Sequence, residues 1–181
     1  DEGGPLPVHE MGVSAHGAVP GTGSALHYLA EVGNGRSWNS PGDGEGAPHD
    51  ENSDKATNLG LSFRPPRLSA LEVGASLYHD TIPRQPSPDV AQSISDTFAV
   101  YRTPSTEVMA EWLRLTHQPA GGATMVNNFG YVQASQAFGI WRPYYRYDRL
   151  LIDPATPVIG PLDSYEAHTI GIRIDPMQWV G

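Results

Sequence analysis

Cysteine is absent from the 181 residues, which removes disulfides as a source of stability and thiolates as zinc ligands. Lysine is nearly absent as well. Lys55 is the only one, and the formal net charge is −9. Nucleic-acid binding needs clustered Lys and Arg against the phosphates, so no nucleic-acid partner is expected. Charged residues make up only 17% of the chain, too few for a disordered polyampholyte. A long apolar run is missing too. The longest uncharged stretch, between His117 and Arg142, contains Pro119, Gly121, Gly122, Asn127 and Asn128, so it does not form an apolar membrane helix of roughly 20 residues. The opening Asp1-Glu2-Gly3-Gly4-Pro5 is not a signal peptide, as in a mature or excerpted chain.

What the chain has in excess is Gly (20) and Pro (17). They fall between runs rather than through them and therefore punctuate short elements. The runs read as nine strands: 9–19, 25–33, 55–65, 69–79, 95–103, 106–116, 129–138, 141–152 and 165–175. Soluble strands average about 5–6 residues, whereas a tilted strand crossing a bilayer needs about 9–11. Four runs alternate with the strand period of two. Thr57, Leu59, Leu61 and Phe63 oppose Asn58, Gly60, Ser62 and Arg64. Leu71, Val73, Ala75 and Leu77 oppose Glu72, Gly74, Ser76 and Tyr78. Trp141, Tyr145 and Tyr147 oppose Arg142, Tyr144, Arg146 and Asp148. Ile170, Ile172 and Ile174 oppose Thr169, Gly171, Arg173 and Asp175. Run 106–116 resists assignment, because Val108, Ala110 and Trp112 share one face while Met109, Leu113 and Leu115 crowd the other. A bulge or a covered interior position would account for it.

The connections alternate in length. Turns at 20–23, 65–67, 103–105 and 139–140 are tight, and those at 34–54, 80–92, 118–128 and 153–164 are long. Outer-membrane barrels have short periplasmic turns and long extracellular loops. The sequence therefore predicts an all-β, antiparallel, up-and-down transmembrane β-barrel, partial, with about nine strands in a single segment spanning 1–181. Phe138 and Trp141 flank a short turn, where a periplasmic aromatic girdle belongs. Tyr28, Tyr78 and Tyr147 are placed toward long-loop ends, as an outer girdle. The bland alternative is that aromatic residues simply favour strands.

Several segments resemble bacterial outer-membrane porins, including the group related to phosphate-selective porins: 28–36, 54–65, 71–78 and Trp141-Arg142-Pro143-Tyr144-Tyr145-Arg146-Tyr147-Asp148-Arg149-Leu150. The resemblance runs through about residues 9–175 and rests on strand-and-turn patterns. It implies passive diffusion of small hydrophilic solutes through a water-filled barrel in the outer membrane of a Gram-negative bacterium. Outer-membrane lipid would surround the barrel, with a homotrimer as an assembly open to it. Bacterial single-chain barrels have even strand counts, so a count of nine with Trp179-Val180-Gly181 at the end suggests an incomplete chain.

A pore selects by the charges that line it. Arg64, Glu72, Arg142, Tyr144, Arg146, Asp148 and Arg173 are the candidate lining residues, and their arginines suggest anions such as phosphate. The competing reading is that these arginines pair with acids on neighbouring strands. No enzyme is expected, and no cofactor, metal or catalytic residue. Gly21-Thr22-Gly23-Ser24 lacks the Lys of a phosphate loop, the seven histidines show no ligand spacing, and no nucleophile motif surrounds Ser24, His27 and Glu31. The acidic stretch 48–54 lacks the spacing of a calcium loop. Two alternatives to a channel stand: a non-conducting structural or adhesive barrel, and a soluble all-β binding domain.

Overall fold

The computed structural model describes residues 12–23, 25–35, 53–84, 86–156 and 163–175. All nine predicted strands are present: β1 (Gly12–Ala18), β2 (Leu26–Gly33), β3 (Ala56–Phe63), β4 (Leu71–Ile82), β5 (Val90–Arg102), β6 (Thr106–Pro119), β7 (Met125–Gln136), β8 (Trp141–Leu151) and β9 (Tyr165–Ile174). They form one antiparallel sheet whose strand order is the chain order. Each strand pairs only with its neighbours in sequence, and the sheet is not closed. The described residues include no helix, and so none long and apolar enough to cross a membrane.

The strand period dictates the two faces. Directly paired residues share a face, so the register carries one assignment across all nine strands. One face holds Val32, Leu59, Leu61, Leu77, Val108, Trp112, Val132, Ile170, Ile172 and Ile174, and all of these are exposed. The other face holds Glu31, Asn58, Ser76, Asp96, Glu111, Gln133, Arg146 and Thr169. The four alternations read from the sequence are all observed in this register. Run 106–116 is also resolved. Its pairing to β5 and β7 is continuous, without a bulge, and Leu113 and Leu115 lie covered on the polar face.

The polar face is the concave one. A single cavity of about 430 Å³ is lined by polar-face residues from Ser14 on β1 through Asn58, Ser76 and Asp96 to Glu111 on β6. Six strands can border one cavity only if the sheet curls around it. The apolar residues are therefore on the outside, the reverse of a soluble sheet, which buries its apolar face.

The loop pattern needs correction. β4 to β7 run further than the sequence suggests, so about half of the residues read as long loops at 80–92 and 118–128 are strand. The connections that remain, 83–89 and 120–124, are no longer than 64–70 on the opposite end. Among the loop-end connections only 34–55 and 152–164 keep the predicted length. The reason lies on the concave face. There Ile82, Val90, Ile94, Leu115 and Met125 alternate with strand spacing and pack together with Asp80, Gln92, His117 and Asn127, all buried. Their polar members had disguised the period. The cluster of Ala56, Tyr78, Ile94, Leu113 and Leu115, with Phe129 against it, is the apolar core of the described residues.

Aromatic rings also cover strand glycines. Trp112 on the outer face lies across its pair partner Gly130, and Tyr144 on the inner face lies across Gly171. A Cβ at either glycine would collide with the ring, so each ring recovers the contact area that a bare strand position lacks.

Candidate functional site

The candidate lining residues Arg64, Glu72, Arg142, Tyr144, Arg146, Asp148 and Arg173 all stand on the concave side, Arg64 just after β3 and the others on β4, β8 and β9. They do not form a free basic ladder. Arg64 Nη2 donates to Glu72 Oε2 at 2.6 Å, across the 64–70 turn. Arg146 binds Asp148 Oδ1 at 2.7 Å and lies over the Tyr131 ring, 3.9 Å from its centroid. Arg173 Nε donates to Asp175 Oδ1 at 2.6 Å, and Arg142 Nε donates to the other oxygen of the same carboxylate at 2.8 Å. The remaining guanidinium nitrogens of Arg142 donate to the carbonyls of Ser105 and Pro104, both at 3.3 Å. Arg142 thus ties the 103–105 turn to the end of β9. Arg102, which the sequence reading missed, pairs with Glu107 at 2.7 Å.

Asp175 lies just beyond β9 and receives both arginines. The hydrogen bond from Arg173, followed by that from Arg142, holds its carboxyl down to about 2. A depressed carboxylate contributes stability above its unfolded pKa and loses it as pH falls through the folded value. The Asp175 contribution should accordingly be complete above about pH 4 and vanish toward about pH 2. Denaturant midpoints measured across that window should show a smaller acid-limb drop for Asp175→Asn than for the unaltered chain. Identical acid limbs would contradict the assignment.

A second group of acids lines the curl. Glu31 accepts from Asn58 Nδ2 at 2.8 Å. Glu111 stands directly opposite Tyr131 on β7. Asp96 Oδ1 is buried with no hydrogen-bond partner. Glu31, Asp96 and Glu111 border the same 430 Å³ cavity, and none of them has an arginine partner among the described residues. The concave face therefore holds its arginines in ion pairs with other acids and leaves these three outside those pairs. The sequence reading missed all three as lining residues. In sequence Glu31 stands out only beside Ser24 and His27, and the unassigned register of run 106–116 conceals the face of Glu111. Asp96 follows Ile94 at strand spacing, a signal that was available.

Toward the loop end the concave face closes up. His117 Nε2 bonds Gln92 Oε1 at 2.8 Å, and the Tyr78 hydroxyl donates to Asp80 at 3.2 Å. Asn127 accepts from the Asp153 amide at 2.8 Å and donates to Thr156 at 2.9 Å, fastening β7 to the β8–β9 connection. These side chains are fully buried or nearly so, while Ser76, Asp96 and Glu111 lower on the same strands are partly exposed.

The aromatic assignments divide. Phe138 and Trp141 bridge across the short 137–140 turn, both largely exposed. Tyr147 is on the outer face of β8 with its ring 5.1 Å from that of His168. Tyr28 is on the outer face but follows the 19–25 turn, so it belongs to the short-turn end of its hairpin, not to the long-loop end. Tyr78 is not a girdle residue. Its ring points into the curl and is buried, because even-numbered positions of β4 face inward. Ser24 and residues 48–52 of the acidic stretch lie outside the described residues. No group of three or more potential metal ligands occurs among the described ones. Compared with known protein families, curated proteins and solved structures, the chain matches none.

Proposed function

We propose that this sheet is the wall of an outer-membrane β-barrel that passes small hydrophilic solutes by diffusion, with a preference for cations. The observation that carries the reading is the inverted partition of the faces. Leu59, Leu61, Leu77, Ile170 and Ile172 stand outside, each more than half exposed, while carboxylates, amides and arginines line the curl. A bilayer is the solvent that makes this partition favourable. The cation preference follows from the lining. The arginines that suggested anions are spent in ion pairs, and Glu31, Asp96 and Glu111 remain to set the field of the cavity.

The test is electrical. Protein folded into a planar bilayer under a salt gradient should show discrete conductance and a reversal potential on the cation side. Asp96→Asn combined with Glu111→Gln should move that potential toward zero. A reversal potential on the anion side would sink the cation preference. A second reading, a barrel that inserts without conducting, is favoured by the burial of Asp80, Gln92, His117 and Asn127 at the loop end. Insertion with no conductance would establish that reading instead. A monomer that stays in water without detergent would point to a soluble domain.

A further inference from the structure

The outer face carries a trough that the channel reading does not use. Ala99 and Ala110 are direct partners on β5 and β6, and these two adjacent small side chains form its floor. Trp112, Val132 and Tyr147 wall it, and Arg149 stands at its loop end. Its volume, about 340 Å³, falls within the range of small-molecule sites, about 300–1,000 Å³. Trp112 cannot retreat far from the trough, since it is seated on Gly130.

The charges around it are ordered. Arg149 pairs in register with Gly130, the partner of Trp112, and Arg114 pairs with Asn128 one outward row closer to the loops. Arg114 and Arg149 are the only basic side chains other than histidine on the outer face of the nine strands. Arg114 has no ion-pair partner among the described residues. Arg149 faces Glu166 at 3.3 Å, with both side chains about half exposed. The belt below them carries no charge on this face. An apolar trough crowned by two guanidinium groups complements a molecule with an apolar tail and an anionic phosphate head.

We infer that this trough binds one anionic phospholipid, with an acyl chain along Ala99 and Ala110 under Trp112 and the phosphate held by Arg149 and Arg114. The inference rests on the reading of the outer face as lipid-facing. Glu166 opposes the headgroup and sets the affinity, since it competes for Arg149.

The protein would be folded into phosphatidylcholine vesicles containing a minor fraction of phosphatidylglycerol, extracted in mild detergent, and its retained lipid measured by native mass spectrometry. Retained phosphatidylglycerol should exceed its share of the vesicle. Arg149→Gln and Arg114→Gln should each reduce that enrichment by about fivefold. Glu166→Gln should raise it, an outcome that damage to folding would not produce. Heat-modifiable migration on unheated gels checks that every variant has inserted. An inserted protein that retains the two lipids in vesicle proportion overturns the inference and leaves the barrel standing. Loss of the enrichment on adding free inorganic phosphate overturns it as well, because the apolar trough would then play no part. A protein that never inserts overturns the barrel reading and this site with it.

Discussion

Arginine in place of Leu61, two residues from the short-turn end of β3, should destabilise the membrane-folded protein by about 1–2 kcal/mol, between the cost of a basic side chain at the bilayer midplane, about 2–4 kcal/mol, and that near the interface, about 0–1 kcal/mol. Leu61 is 57% exposed and projects from the outer face of β3. It sits between Leu59 and Phe63 on its own strand and pairs with Tyr28 and Ala75 on either side. In water the same substitution would replace an exposed leucine by a solvated cation, and surface changes of that kind usually fall within about 0.5 kcal/mol. The two environments thus predict effects that differ several-fold. Urea titration of the protein in phospholipid vesicles reads the difference. Ser62→Arg, one residue away but facing inward, supplies the control and should cost much less. Equal small effects at both positions would remove the bilayer from the explanation of the apolar outer face.

Leu115→Ala should cost about 2–5 kcal/mol, the range for emptying a leucine site in a packed interior. Leu115 is 0% exposed and belongs to the cluster with Ala56, Tyr78, Ile94 and Leu113. β6 also carries the fully buried His117 two residues on, so the cavity would open beneath a polar layer whose hydrogen bonds hold the neighbouring strands in place. Little collapse is available there, which favours the upper part of the range. Denaturant unfolding of the variant checks the figure. A loss under about 1 kcal/mol would mean that the loop end of the curl is loosely packed, against the burial seen across β4 to β7.

Both substitutions bear on how far the sequence could be read. The outer face was legible because its apolar positions show a clean period of two, and Leu59, Leu61, Ile170 and Ile172 stand where that period puts them. All nine strands followed from it, together with their order. The loop ends of β4 to β7 were not legible. In a polar-lined curl an inward residue can be Asp80 or Gln92 as well as Ile94 or Leu115, so the inner face has no fixed polarity for a pattern to reveal. Pro83 and Pro119, with the glycines after Pro119, carry the composition of a loop at the same places. The candidate lining residues share the concave face, but their pairing as a set cannot be read from one strand at a time. That Asp175 serves both Arg142 and Arg173 depends on the pairing of β8 with β9. The acids at the cavity depend on the register of β6.

The identity of strand order and chain order also bears on how the sheet forms. Every pairing joins strands adjacent in sequence, so β4 to β8 can zip hairpin by hairpin across short connections at small entropic cost. The span 34–55 between β2 and β3 asks for a larger loop closure before its first hydrogen bond repays it. Assembly is therefore expected to begin in the long central hairpins, where the buried cluster rewards each added strand, and to recruit β1 and β2 as one late-arriving hairpin.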